Sequence, residues 1–311
     1  PASYGQILVQ TFPLIGNYGA IRVDAESKKA WATAYVVREV CENPSNFRME
    51  GDLETYLKEE GIVGIYGVDT RELTKILREE GVMNARISSR RLTVKALAEM
   101  KAYKIQNAVK MVSDDEKGFF EASEGNYTVA FWNFGAKNSA IANLNAKGCN
   151  VISMPATSTA EEILALNADG VVISDGPGDP MENAEAIAQI QNLLGKTPVM
   201  GVGLGHLLVA LALGAKTKKQ KYGHRGSNQP VKCQKSGKVY ISAQNHGYEV
   251  ATSSIKTGEI SFINVNDKSC EGIEYEELNA FTVQFDPESC GIGHPENVIY
   301  DKFFTMMKKE K

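Results

Sequence analysis

Residues 199–206 read Val199-Met200-Gly201-Val202-Gly203-Leu204-Gly205-His206. Four residues of apolar strand run into a turn with glycine at every second position, and residues 207–213 continue as an apolar helix. The run 198–215 approaches the ≈20 residues that cross a bilayer. Gly201, Gly203, Gly205, Gly214 and His206 interrupt it, and a buried strand, a tight turn and a buried helix explain it better. Working outward, the same alternation repeats. Residues 170–174 read as a strand and 181–194 as a helix. Residues 150–154 form another strand, with Ser158 and Glu161 as a capping box opening the next helix. Residues 127–131 and 138–146 complete the series as strand and helix. Short continuous apolar strands separated by helices imply a doubly wound, mainly parallel α/β sheet covered on both faces. Chemistry in such sheets sits at the carboxyl ends of the strands.

Upstream, residues 113–126 turn polar and acidic and read as a linker. The expected domains are therefore 1–123 and 124–311. The first is also α/β. Asp69 caps a helix with Glu72 at the reciprocal position; Leu73, Ile76 and Leu77 share a face, and Gly81 stops it. Residues 52–60, closed by Gly61, form a shorter case. A length of 311 residues suits two domains.

Charge narrows little. A net charge of −4 argues against a nucleic-acid or membrane-surface partner, and no leader or membrane span is evident. The expectation is a soluble cytoplasmic protein. The cysteines, Cys41, Cys149, Cys233, Cys270 and Cys290, are odd in number and lack C-x-x-C spacing. Neither a disulfide framework nor a structural zinc site is expected, and no metal ligands are assigned.

Two turns fall at strand ends. Ser174-Asp175-Gly176-Pro177-Gly178-Asp179-Pro180 could turn backbone N–H groups toward a carboxylate, oxyanion or phosphate, or could simply connect strand to helix. Gly201 to Gly205 has the frame of a nucleophile elbow, G-x-Nu-x-G, with Gly203 at the nucleophile position. A dinucleotide-binding loop needs G-x-G-x-x-G, and here the third glycine comes one residue early.

These turns, together with residues 223–230 (Gly-His-Arg-Gly-Ser-Asn-Gln-Pro) and 243–248 (Ala-Gln-Asn-His-Gly-Tyr), resemble the class I glutamine amidotransferase domain of carbamoyl-phosphate synthetase small subunits. Residues 3–6, 11–19 and 67–71 resemble the domain specific to that subunit. Members of that family carry several tens of residues ahead of the point where this chain begins, so a truncated or processed form is expected. The resemblance implies glutamine hydrolysis through a cysteine thioester, with a histidine base oriented by a glutamate. The ammonia passes to a large subunit that makes carbamoyl phosphate in arginine or pyrimidine synthesis. It implies no cofactor here; ATP and Mg²⁺ belong to the large-subunit partner.

Carried over by position, Gly203 replaces the nucleophile and Asp286 the base, while Glu288 keeps the orienting position. Ser3, Gly176, Gly178, Leu204, Asn245, Gly247 and Tyr248 match glutamine-binding positions, and Leu207 stands where the family has glutamine. Gly176 and Leu204 would supply oxyanion-hole N–H groups. The resemblance thus implies a structural or regulatory subunit without glutaminase activity, in a heterodimer. Two alternatives stay open: a pseudoenzyme sensing glutamine or a related metabolite in a pocket made more apolar by Leu207, and an amidotransferase using another nucleophile. Cys290, His294 and His246 are the rescue candidates.

Overall fold

A computed structural model describes residues 1–289 and 297–309. Two compact units divide between Ala108 and Val109. The N-terminal unit contains β1 (Ile7–Val9), β2 (Leu14–Ile15), β3 (Ala34–Val36), β4 (Glu39–Val40), α1 (Leu53–Glu59), β5 (Val63–Ile65), α2 (Thr70–Glu80) and α3 (Val94–Ala102). A parallel sheet in the order β1-β3-β5 and a parallel pair β2-β4 form its strands. Asp52 caps α1, accepting from the Thr55 N–H at 2.7 Å. Asp69 caps α2 as expected, accepting from the Glu72 N–H at 3.0 Å. Glu72 pairs with Lys75 at 3.1 Å, and Gly81 ends the helix at φ +95°.

The division falls after the first residue of α4 (Ala108–Val112), and the C-terminal unit continues with β6 (Gly118–Phe120), β7 (Tyr127–Asn133), α5 (Asn138–Ala146), β8 (Cys149–Pro155), α6 (Ala160–Leu164), β9 (Gly170–Ile173), α7 (Ala184–Leu193), β10 (Val199–Val202) and α8 (Leu204–Ala212). It continues with β11 (Thr217–Cys233), β12 (Val239–Val250), β13 (Glu259–Asn264), β14 (Cys270–Tyr275), β15 (Ala280–Val283) and α9 (Val298–Lys309). One sheet runs β12-β11-β13-β14-β15-β10-β9-β7-β8-β6. Its five middle strands, β8-β7-β9-β10-β15, are parallel. β6 closes one edge antiparallel, and β14, β13, β11 and β12 extend the other.

Alternation along β7 makes the two cores. Val129 and Phe131 join Leu144 of α5 with Ile299 and Phe303 of α9. Ala130 and Trp132 join Ile163, Ile190 and Leu208 of α6, α7 and α8. Period-two side chains on a strand point to opposite faces, so both faces need helices.

Three boundaries differ from the sequence reading. The units divide ahead of 123/124 because β6 pairs with β8 and Val112 and Ala122 are buried, which ties the acidic stretch to the second unit. The capping box lies one residue later, at Thr159 and Glu162: Thr159 Oγ1 accepts from the Glu162 N–H at 3.2 Å, and the Thr159 N–H donates to Glu162 Oε2 at 2.9 Å. The helix expected over 181–194 is split, with a 3₁₀ turn at Pro180–Glu182 ahead of α7. Cys41, Cys149, Cys233 and Cys270 are free thiols, and Cys290 lies outside the described residues.

Candidate functional site

Parallel pairing of β7, β9, β10 and β15 brings their carboxyl ends to one edge of the sheet, where Lys137, Asp175, Gly203 and Asp286 follow them. Gly203 begins α8 at φ 55°, ψ −110°, a conformation that L side chains rarely adopt. Its N–H donates to the Val283 carbonyl at 2.9 Å. Its neighbours fit only as glycine. A Cβ on Gly205 would lie 2.2 Å from the Ile173 carbonyl oxygen, and one on Gly201 would lie 2.8 Å from Thr282 Cγ2. The turn therefore has the positive φ and close packing of an elbow, with no side chain at its apex.

Asp175 takes that space. A Cβ on Gly203 would lie 2.1 Å from Asp175 Oδ1 and 2.5 Å from its Cγ. Asp175 Oδ1 accepts from the Leu204 N–H at 2.9 Å, so one of the two expected oxyanion donors is already engaged. Burial pushes the Asp175 carboxyl up to about 6, and the Asp286 charge adds to this; the Leu204 and Gly176 N–H groups and Lys137 pull against it. Desolvation wins over hydrogen bonding.

Lys137, the N-cap residue of α5, links the other carboxylates. Its Nζ lies 2.7 Å from Asp286 Oδ2 and 4.0 Å from Glu288 Oε2. Burial lowers the Lys137 pKa, but Asp286, Glu288 and Asp175 together raise it above the ordinary lysine value. Burial raises the Glu288 carboxyl, and Asp286 raises it further, although Tyr300 Oη donates to Glu288 Oε1 at 2.5 Å. A cavity of about 20 Å³, room for one water, lies among Phe131, Lys137, Asp175, Asp286, Glu288 and Tyr300. The carboxylates are thus tied to an internal cation and a phenol. Among the described residues, neither a thiol nor an imidazole lines this cavity.

The expected substrate-binding residues separate into groups. Gly176 is held close, since a Cβ there would lie 2.4 Å from the Phe134 carbonyl oxygen, and Gly178 has φ +93°. Leu204 and Leu207 are buried in the core with Leu208. Tyr248 Oη donates to Asp179 Oδ2 at 3.0 Å, linking β12 to the turn after β9. Asn245 and Gly247 lie on β12, where Asn245 pairs in register with Arg225. Ser3 belongs to the N-terminal unit. Of the rescue candidates, His246 holds the Tyr248 carbonyl through Nδ1 at 2.9 Å, while Cys290 and His294 lie outside the described residues.

Sequence reasoning missed Lys137, Tyr300 and the role of Asp175. Only Asp175 had a visible signal, as an acid inside a glycine-rich turn at a strand end.

The glutamine amidotransferase class-I family model matches residues 130–306, and the carbamoyl-phosphate synthase small chain, CPSase domain, matches residues 1–87. A carbamoyl phosphate synthase small chain of Clostridium perfringens is 44% identical over 97% of this chain and 86% of its own length. One from Bacillus cereus is 41% identical over 100% of this chain and 86% of its own. A crystal structure described as a GMP synthase protein from Thermoplasma acidophilum shares the fold of 59% of this chain and 95% of its own, at TM-score 0.52 and 17% identity. Matched over both units, this chain belongs to the carbamoyl-phosphate synthase small-chain family and carries its class I glutamine amidotransferase domain.

Proposed function

We propose that the chain is a glutaminase-silent small subunit of an ammonia-dependent carbamoyl-phosphate synthase, retained to bind, stabilise or regulate the large subunit. The Asp175 carboxylate standing where a side chain of residue 203 would begin carries this reading. Glutamine hydrolysis through a thioester needs a sulfur to attack the amide carbon and a base to move the proton to departing ammonia. Gly203 offers neither atom, and Asp286 is engaged by Lys137. Loss of a nucleophile costs about 10⁶ in rate where triad members act as a unit.

Exposed aromatic side chains in the N-terminal unit, Phe12, Tyr18, Phe47 and Tyr66, support a protein-binding role. ATP and Mg²⁺ chemistry falls to the large subunit in this reading. Leu207, which would make the pocket of the metabolite-sensing alternative more apolar, is buried among core side chains.

The test is glutamate release from glutamine by the purified chain, with and without its large subunit, beside carbamoyl phosphate formation from ammonium. Glutamate should form no faster than in the blank, while ammonium supports synthesis in the complex. Release at ordinary enzyme rates, or a covalent acyl adduct on the chain, would overturn the proposal.

A further inference from the structure

His224 on β11, His246 on β12 and Glu271 on β14 come together in the antiparallel half of the sheet. Each offers a ligand atom within 4.8 Å of the others. Glu271 is fully buried and His224 only 6% exposed. The two rings stand edge to face with centroids 4.9 Å apart.

The hydrogen bonds around these rings leave one nitrogen over. His224 Nε2 lies 2.8 Å from Asp267 Oδ2. His224 Nδ1 is buried and faces Glu271 Oε1 at 3.2 Å. His246 Nδ1 lies 2.9 Å from the Tyr248 carbonyl, which can only accept, so that nitrogen carries the proton. In the neutral ring with Nδ1 protonated, Nε2 bears a lone pair. That lone pair faces Gln244 Oε1, a second acceptor, at 3.2 Å. Flipping the amide would not help, because Gln244 Nε2 donates to Glu271 Oε2 at 3.0 Å and to Ser242 Oγ at 3.2 Å. Ser269 Oγ donates to Glu271 Oε1 at 3.0 Å.

We propose that His224 Nδ1, His246 Nε2 and Glu271 bind a divalent transition-metal ion of the zinc class. Metal-bound histidines almost always donate their other ring N–H to a carboxylate or a backbone carbonyl, as Asp267 and Tyr248 would receive them here. Two imidazoles and a carboxylate suit zinc, with water or Gln244 Oε1 left for the fourth position. In a tetrahedral shell, Zn–N bonds of ≈2.0–2.1 Å place ligand atoms about 3.3–3.4 Å apart, so groups within 4.8 Å of one another need close by at most about 1.5 Å. The ion would give His246 Nε2 a partner and clamp β11, β12 and β14 together. The competing state holds a proton instead: burial opposes it, but Glu271 and Asp267 push the His224 pKa up to about 9. Binding would displace that proton. The cysteine spacing gave no hint of this site, because its ligands lie on three separate strands.

Equilibrium dialysis of chelator-stripped full-length chain against Zn²⁺, with Co²⁺ absorption as the geometric probe, tests the proposal. One ion per folded chain is expected, together with visible Co²⁺ bands of a low-coordinate site. Asp267→Asn, at a half-exposed position, should weaken binding about 10–100-fold, and Glu271→Gln and His246→Ala should abolish it. No stoichiometric uptake by the folded wild-type chain overturns the proposal. So does uptake that is undiminished in His246→Ala.

Discussion

Lys137 Nζ lies 2.7 Å from Asp286 Oδ2, across 149 residues of sequence, and joins the start of α5 to the segment after β15. Three carboxyl groups, from Asp175, Asp286 and Glu288, share this one ammonium. At this carboxyl edge of the sheet they form an internal ion-pair network. Removing one partner of such a pair leaves the others uncompensated.

Lys137→Met should therefore destabilise the C-terminal unit by about 1–3 kcal/mol at neutral pH, below the usual buried-pair loss because the side chain is partly solvated. Adding Asp286→Asn should restore part of it. Denaturant unfolding of both variants measures the effect; equal stability of Lys137→Met and wild type would remove the network from the account.

Asp175 should act on stability in the opposite sense to a paired carboxylate. Its folded pKa, about 6, lies above the ordinary 3.8. Between those values the native chain holds a proton that the unfolded chain has lost, so stability falls as pH rises from about 4 to 6. Asp175→Asn removes this penalty and should stabilise the protein by about 1–3 kcal/mol at about pH 7.5, with the difference vanishing near pH 4. Urea titrations at the two pH values decide it, and a variant less stable at the higher pH would contradict the assigned shift.

At Gly203, a thiol alone cannot restore chemistry. Gly203→Cys forces a Cβ against Asp175 and a side chain onto positive φ, a strain of about 1–3 kcal/mol, and Asp286 supplies no imidazole to serve as its base. Gly203→Cys with Asp286→His, with or without Leu207→Gln, should give detectable glutamate release. Adding Asp175→Asn should raise it further by removing an anion that opposes a thiolate. Coupled glutamate assays across the series check the order; full activity from the single change would refute the role given to Asp286.

The strand–helix rhythm of residues 127–215 was legible because period and composition report directly on burial, and the parallel middle of the sheet follows from them. The elbow was legible too, since G-x-G-x-G at a strand end admits few geometries. The capping box was misplaced by one residue, at Ser158 rather than Thr159, because adjacent Ser, Thr and Glu residues satisfy the same pattern in two registers. The linker was misjudged because the acidic residues around β6 stay exposed while Phe119 and its neighbours bond to β8.

By itself the sequence determined the layered fold and the glycine at the apex of the turn after β10, for these depend on residue type and local order alone. Tertiary structure decided what stands beside that glycine. Lys137, Asp175, Asp286 and Tyr300 come from separate stretches of the chain, and His224, His246 and Glu271 from three strands. Electrostatic pairing and ligation act through space over a few ångströms, so only the folded sheet brings such groups within reach.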